Sequence, residues 1–396
     1  MEPALYDEEQ HRAQLLHRMR GAETIVYASV FAPKAVSVEP VLVAATSTGA
    51  VHVFVLRPML EPEYWEDVTQ QREVAHPGPK LSFQAHPTQI YSLAFAGDVA
   101  EPLLISGGDQ DFRVWRWKHI LAALDDPSVE LQPVHVAHLE RKTMGFRGAL
   151  LPFNEINDVA VAVTSGHLFL AGGDSLAHEW DLGSQTFVRQ YEGHHDYLHT
   201  LRYLAHSQEL VTGSEDGTIG IWDVRKAGKV EFLHPQKPSA GTASSSSSPT
   251  GNGKNDASLW VGCVANDASE VWLACGGGKK RSPGQAQGGG FMSMWHLPSR
   301  VPVHYTDTSS DIHDVVFHHM ELLSVGNEAS LKKWNRSSGA LLASAHSTIP
   351  SSHFCVVDHE TDIIAVGGNA PVIDIYAMPG VVSFSLLVED AVQPAL

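Results

Sequence analysis

Short apolar runs alternate with Gly-, Asp- and Ser-rich breaks along most of this chain. The clearest unit is Glu209–Val224, ELVTGSEDGTIGIWDV. It reads as a strand, a tight turn at Asp216-Gly217, a second strand and a Trp-Asp ending. The same frame recurs at Ala44–Phe54, Leu104–Trp115, Phe169–Trp180, Leu273–Trp295, Leu322–Trp334 and Ile363–Tyr376. That makes seven units, closed by Phe54, Trp115, Trp180, Trp222, Trp295, Trp334 and Tyr376. The tightest spacings between closing aromatics approach the ~40–45 residues of a WD repeat.

Gly and β-branched residues crowd every unit, which argues against helices. One small sheet cannot bury both of its faces, whereas a ring of such sheets can. The expected fold is all-β: a single seven-bladed WD-repeat β-propeller over 24–388, preceded by a short N-terminal helix in 1–23 and followed by a tail, 389–396. The helix is read from a capping-box-like Asp7–Gln10 and an apolar stripe of Leu15, Leu16 and Met19. Two stretches read as flexible insertions. One is the Ser-rich 234–257; the other is the Gly/Lys/Arg-rich 279–290, with Gly276–Gly278 taken as part of a replaced turn. Lys118–Phe153 reads as a long crossing with three prolines. The ring is expected to close either by an outer strand of the last blade's own, near Val381–Leu387, or by an N-terminal strand, near Thr24–Phe31, completing that blade.

Composition narrows the function. Of 396 residues, 43% are hydrophobic and 18% charged, enough apolar material for a large core. Lys and Arg number 27 against 45 Asp and Glu, a net charge of −18, which disfavours independent binding to phosphate backbones. Three scattered cysteines exclude a disulfide scaffold and a four-cysteine zinc site, and fit a reducing, intracellular setting. There is no secretory signal pattern, and no apolar run approaches the ~20 residues that span a bilayer. No membrane role is expected.

Candidate residues divide into folding and contact roles. Trp222, Ser214, His194 and Asp216 are expected to form a buried hydrogen-bond tetrad that satisfies the indole N–H. Weaker versions are expected in other units, using His86 and the aspartates Asp109 and Asp174 that follow Gly-Gly turns. His194, His195, His199 and His206 are dense but straddle a loop and a strand, so no metal site is assigned. His318-His319 is expected to be a solvated turn. No phosphate loop or nucleophile elbow is present, so no catalytic residue, cofactor or metal is assigned. Lys279, Lys280 and Arg281 form a compact basic run, read as a candidate import or RNA-contact loop against a plain solubilising role. Arg225, after Trp222-Asp223, is expected on the rim.

Several stretches are more specific than a generic repeat. In order they are FQAHPTQIYSLAF (Phe83–Phe95), NEIND (Asn154–Asp158), LAGGDSLAHEWDL (Leu170–Leu182), YEGHHDYLHTL (Tyr191–Leu201), GSEDGTIGIWDVR (Gly213–Arg225), WVGCVANDASEVWLACGGG (Trp260–Gly278) and MWHL (Met294–Leu297). Together they resemble the THO complex subunit 6 family, the WD-repeat component of the TREX mRNA-export assembly. The resemblance implies a nuclear, non-catalytic scaffold. Its partners would be other, largely helical or coiled-coil, THO subunits, and it would be part of an oligomer within the complex. It also implies roles in mRNP assembly and in coupling transcription and splicing to mRNA export, with RNA contact indirect or weak. A second resemblance is to the sixteen-residue box of cullin-4 RING ubiquitin-ligase substrate receptors. By it, Trp222, Asp223 and Arg225 would meet the ligase adaptor.

Overall fold

The computed structural model describes residues 23–388, apart from 36, 38, 62, 66–76, 99, 141–153, 227–229, 236–258, 281–288 and 378–379. The expected N-terminal helix, the Ser-rich run and Arg281 lie outside the described residues. Seven four-stranded antiparallel sheets span 26–84, 90–138, 156–191, 198–233, 259–308, 312–346 and 352–387. They are blades 1 to 7, each with strands a to d in chain order. Contacts between successive a strands run around the ring, including blade 7 back to blade 1, so the a strands surround a central channel. The chain is a seven-bladed all-β propeller.

The core sits between blades. Side chains on one face of a sheet interdigitate with those of the next, which is how small sheets bury both faces. Val211, Ile219 and Ile221 of blade 4 pack with Val261, Val264 and Phe291 of blade 5. The closing aromatics take part: Phe54, Trp115, Trp180, Trp222, Trp295, Trp334 and Tyr376 are all no more than 6% exposed.

Closure uses no shared strand. Blade 1 is built from four consecutive strands, and blade 7 ends with its own Phe384–Leu387. The seam is sealed by packing: Val26, Leu42 and Phe54 meet Phe354, Ile373, Ile375 and Leu386 in one cluster. One backbone bond, from Leu387 N to Pro77 O at 3.0 Å, reinforces it.

Two sequence expectations change. The crossing after blade 2 strand c contains a helix, Trp117–Asp125, with Trp117, Ile120 and Ala123 buried on one face. That three-residue spacing within WKHILAALD is a helical stripe. The second change is in blade 5, where Gly276–Lys279 belong to strand b (Trp272–Lys279) and are not part of a turn. Gly276, Gly277 and Gly278 pair with Met292, Phe291 and Gly290.

Every a strand carries a β-bulge at the same place, near its start. The strand registers skip Tyr27, Tyr91, Asn157, His199, Gly262, His313 and His353 in blades 1 to 7. A bulge leaves one residue outside the ladder and bends the strand. The facing end of strand b is mostly glycine for a steric reason. A Cβ at Gly277 would lie 1.9 Å from Trp260 O, and one at Gly326 would lie 1.9 Å from Asp311 O. The Gly-rich ends of the repeat units therefore make room for the bulges.

Candidate functional site

Blade 4 holds a complete hydrogen-bond chain. Trp222 Nε1 donates to Thr212 Oγ1 at 2.9 Å; that hydroxyl lies 2.8 Å from His194 Nε2, and His194 Nδ1 lies 2.9 Å from Asp216 Oδ2. A neutral imidazole protonated at Nδ1 satisfies all three contacts. Burial alone would raise the Asp216 carboxyl, but His194, Thr218 and the His195 N–H hold it well below the usual carboxylate range.

The hydroxyl in this chain is Thr212, not the expected Ser214. Trp222 pairs with Leu210, so its ring reaches the diagonal neighbour Thr212, one pleat period along. Ser214 lies a further period away, where its hydroxyl donates to Asp196 O at 3.0 Å and accepts from Asp216 N at 3.1 Å.

Blade 2 repeats the chain with a different acid. Trp115 Nε1 donates to Ser106 Oγ at 3.0 Å, Ser106 Oγ meets His86 Nε2 at 2.8 Å, and His86 Nδ1 meets Asp111 Oδ1 at 2.9 Å. Asp109, the residue expected from sequence, instead faces Tyr91. In blade 6 Trp334 Nε1 reaches Ser324 Oγ at 2.8 Å. The same diagonal slot holds Leu170 in blade 3 and Cys275 in blade 5. There the buried Trp180 N–H has no hydrogen-bond partner among the described residues, and the buried Trp295 N–H has only the Cys275 sulfur, a weak acceptor. In blade 3, Asp174 pairs with His178 at 3.1 Å and takes no part in such a chain. Blade 7 uses a hub: buried Asp374 accepts from Ser347, Thr348 and Ser385 at 2.7–2.9 Å.

The channel encloses a cavity of about 530 Å³, with Tyr27, Tyr91, Asp158, Arg202, His313 and His353 in its wall. Asp158 Oδ2 accepts from Thr200 Oγ1, Leu201 N and Arg202 Nη1 at 2.8–3.0 Å, tying blade 3 to blade 4. Asp314 does the same between blades 6 and 7, accepting from Cys355 N at 2.9 Å. Burial pushes the Asp314 carboxyl up to about 6. It also raises the thiols of Cys263 and Cys355 well above their ordinary value and pushes Cys275 up to about 12, so these buried cysteines are poor nucleophiles.

The candidate contact residues separate on the surface. Trp222 is 2% exposed and committed to its chain. Asp223 grips Arg225 through both oxygens, at 2.8 Å to Nε and 3.0 Å to Nη2, at the exposed c–d turn of blade 4. Lys279 pairs with Asp307 at 2.7 Å. Lys280 reaches Asp196 at 3.6 Å and Glu215 at 3.9 Å, bridging blade 5 to blade 4. His318 is buried, contrary to the solvated turn expected, while His319 is exposed; their Nε2 atoms lie 3.2 and 2.9 Å from Asp362 Oδ1. Among the described residues this trio could hold a metal ion. No described helix is long and apolar enough to cross a membrane.

Known proteins match this picture. The family "WD domain, G-beta repeat" matches residues 78–116 and 185–223. Those segments end at the closing strands of blades 2 and 4, the blades with complete hydrogen-bond chains. A THO complex subunit 6 from Arabidopsis thaliana is 29% identical over 381 residues, covering 95% of each chain. The THO complex subunit 6 of Homo sapiens is 28% identical over 350 residues, covering 87% of this chain and 88% of its own. Human Striatin-4 matches only 37% of this chain, at 27% identity, and 19% of its own length. The chain is thus a seven-bladed WD-repeat propeller whose sequence is similar, along nearly its whole length, to THO complex subunit 6.

Proposed function

We propose that the chain is a WD-repeat subunit of a nuclear THO complex. In this reading it acts as a non-catalytic scaffold in mRNP assembly and mRNA export. The observation that carries the reading is the similarity to two THO complex subunit 6 proteins, each aligned over nearly all of both chains. A shared repeat alone would give partial coverage, as with Striatin-4.

The physical features fit such a role. Buried hydrogen bonds tie strands together in blades 2, 4, 6 and 7, and the outer surface is the part left to interact. The net charge of −18 disfavours direct hold on RNA, and Lys279 and Lys280 are already paired with acids. RNA would be held by other subunits, and helical partners would engage a face or flank of the ring. Affinity purification of the tagged chain from nuclear extract tests this. Co-purification of THO subunits is expected; their absence, with the chain intact and nuclear, overturns it.

A second reading, as a cullin-4 ligase substrate receptor, is favoured only by the exposed Asp223–Arg225 fork. Arg225→Ala leaves the buried Trp222 chain untouched. Under this reading the substitution abolishes adaptor co-purification, and unchanged recovery removes the idea.

A further inference from the structure

The seven bulges do more than bend strands. Each places one residue out of the ladder, and the bulged residues gather at the mouth of the channel where the a strands begin. Six rings form an almost continuous collar. Tyr91 meets Tyr27 at 5.2 Å between centroids, and Tyr27 meets His353 at 5.5 Å. His353 stacks on His313 at 5.3 Å and 9°. His313 meets Trp260 at 6.4 Å, and Trp260 meets His199 at 5.8 Å. Trp260 is not itself a bulge residue. It covers Gly262, whose missing Cβ would lie 2.5 Å from the indole. Five of the six rings, Trp260 excepted, line the 530 Å³ cavity.

The charge around the collar is negative. Asp109 faces Tyr91 and Tyr27, and it also repels Glu155, which precedes the blade 3 bulge. Burial first, and Asp109 second, raise the Glu155 carboxyl. Asp311, two residues before His313, has one carboxylate oxygen buried with no hydrogen-bond partner among the described residues. Deeper in the channel the guanidinium of Arg202 donates to Asp158 at 2.8 Å and also feels the carboxyl of Asp314. His313 and His353 are lowered, mainly by burial, which favours their neutral form. Flat aromatic rings backed by carboxylates attract a planar cation and repel a phosphate chain.

We propose that the collar is a binding site for an arginine side chain presented by a partner polypeptide. The guanidinium would stack among the rings with its edge toward Asp109 and Glu155. Stacking rings could also take unpaired nucleobases; the surrounding carboxylates favour the cationic peptide. The proposal does not depend on membership of a THO complex.

The test uses the full chain with histidines labelled at ¹³Cε1, observed by NMR. His313→Gln and His353→Gln assign the two signals. The probe is the capped peptide Gly-Gly-Arg-Gly-Gly, compared with its neutral citrulline analogue and with oligouridylate. Shifts of the His313 and His353 signals with the arginine peptide are expected, at an affinity about tenfold above that of the citrulline peptide. Asp109→Asn, nearly isosteric, should weaken binding severalfold; Tyr27→Ala should weaken it further if it folds. No shift with the arginine peptide, an equal response to citrulline, a response to oligouridylate alone, or no loss in a folded Asp109→Asn protein each overturns the proposal.

Discussion

Trp222 and His194 never touch through hydrogen bonds directly, yet both rest on one oxygen atom: Thr212 Oγ1, 2.9 Å from the indole nitrogen and 2.8 Å from the imidazole Nε2. Thr212 is fully buried, so neither ring has water to fall back on. Thr212→Val should destabilise the protein by roughly 2–3 kcal/mol, because it orphans two buried groups with little change in shape. Ser214→Ala removes lesser bonds and should cost about 1 kcal/mol. Urea unfolding midpoints of the two variants rank them; a larger loss at position 214 contradicts the assignment.

Gly220 explains why the chain fits. A Cβ there would come within 2.7 Å of Thr212 Oγ1 and 2.8 Å of both His194 Nε2 and Trp222 Nε1. Gly220→Ala is therefore expected to cost about 1–3 kcal/mol by overpacking. It should also alter the near-ultraviolet dichroism of Trp222, since the indole must shift.

Asp314 gives the channel a pH signature. Its carboxyl titrates at about 6 in the folded protein, against about 3.9 in an unfolded chain. Between those values the folded state holds a proton that the unfolded state has lost. This group's contribution therefore falls as pH rises through the window, reaching a penalty of roughly 2–3 kcal/mol above it. Asp314→Asn should gain stability relative to the parent as pH rises from about 4 to about 7. Asp216 runs the other way: its lowered carboxyl stabilises above the unfolded value, and that stability is lost on acidification. Thermal unfolding across pH, in parent and variant, reads the difference.

The seam between blades 7 and 1 relies on side chains such as the fully buried Leu386. Leu386→Ala should cost about 2–5 kcal/mol. Hydrogen exchange should then quicken first in strands Phe384–Leu387 and Val26–Phe31, ahead of the middle blades. Uniform acceleration around the ring would contradict a seam held by local packing.

The blade count was legible because two signals repeat together in each unit, a Gly-rich turn and a buried closing aromatic one strand further on. The hydrogen-bond chain was legible in type but not in register: Ser214 and Thr212 lie on the same face of one strand, and only the cross-strand pairing decides between them. Asp109 and Asp111 pose the same ambiguity in blade 2. The collar was not legible. The seven bulge residues are of four types, two tyrosines, three histidines, Asn157 and Gly262, and a bulge breaks the two-residue period by which strands are read. The one available signal was the Gly pairs ending strand b, which the sequence reading assigned to turns.

Because each sheet is made from four consecutive strands, the order in which the blades are strung is separable from the shape they make. Joining the first and last blades by a linker and cutting the chain between two others would leave all seven sheets whole. The one seam whose neighbouring blades lack a covalent connection would move to a new place on the circumference, so its position becomes something an experimenter can choose.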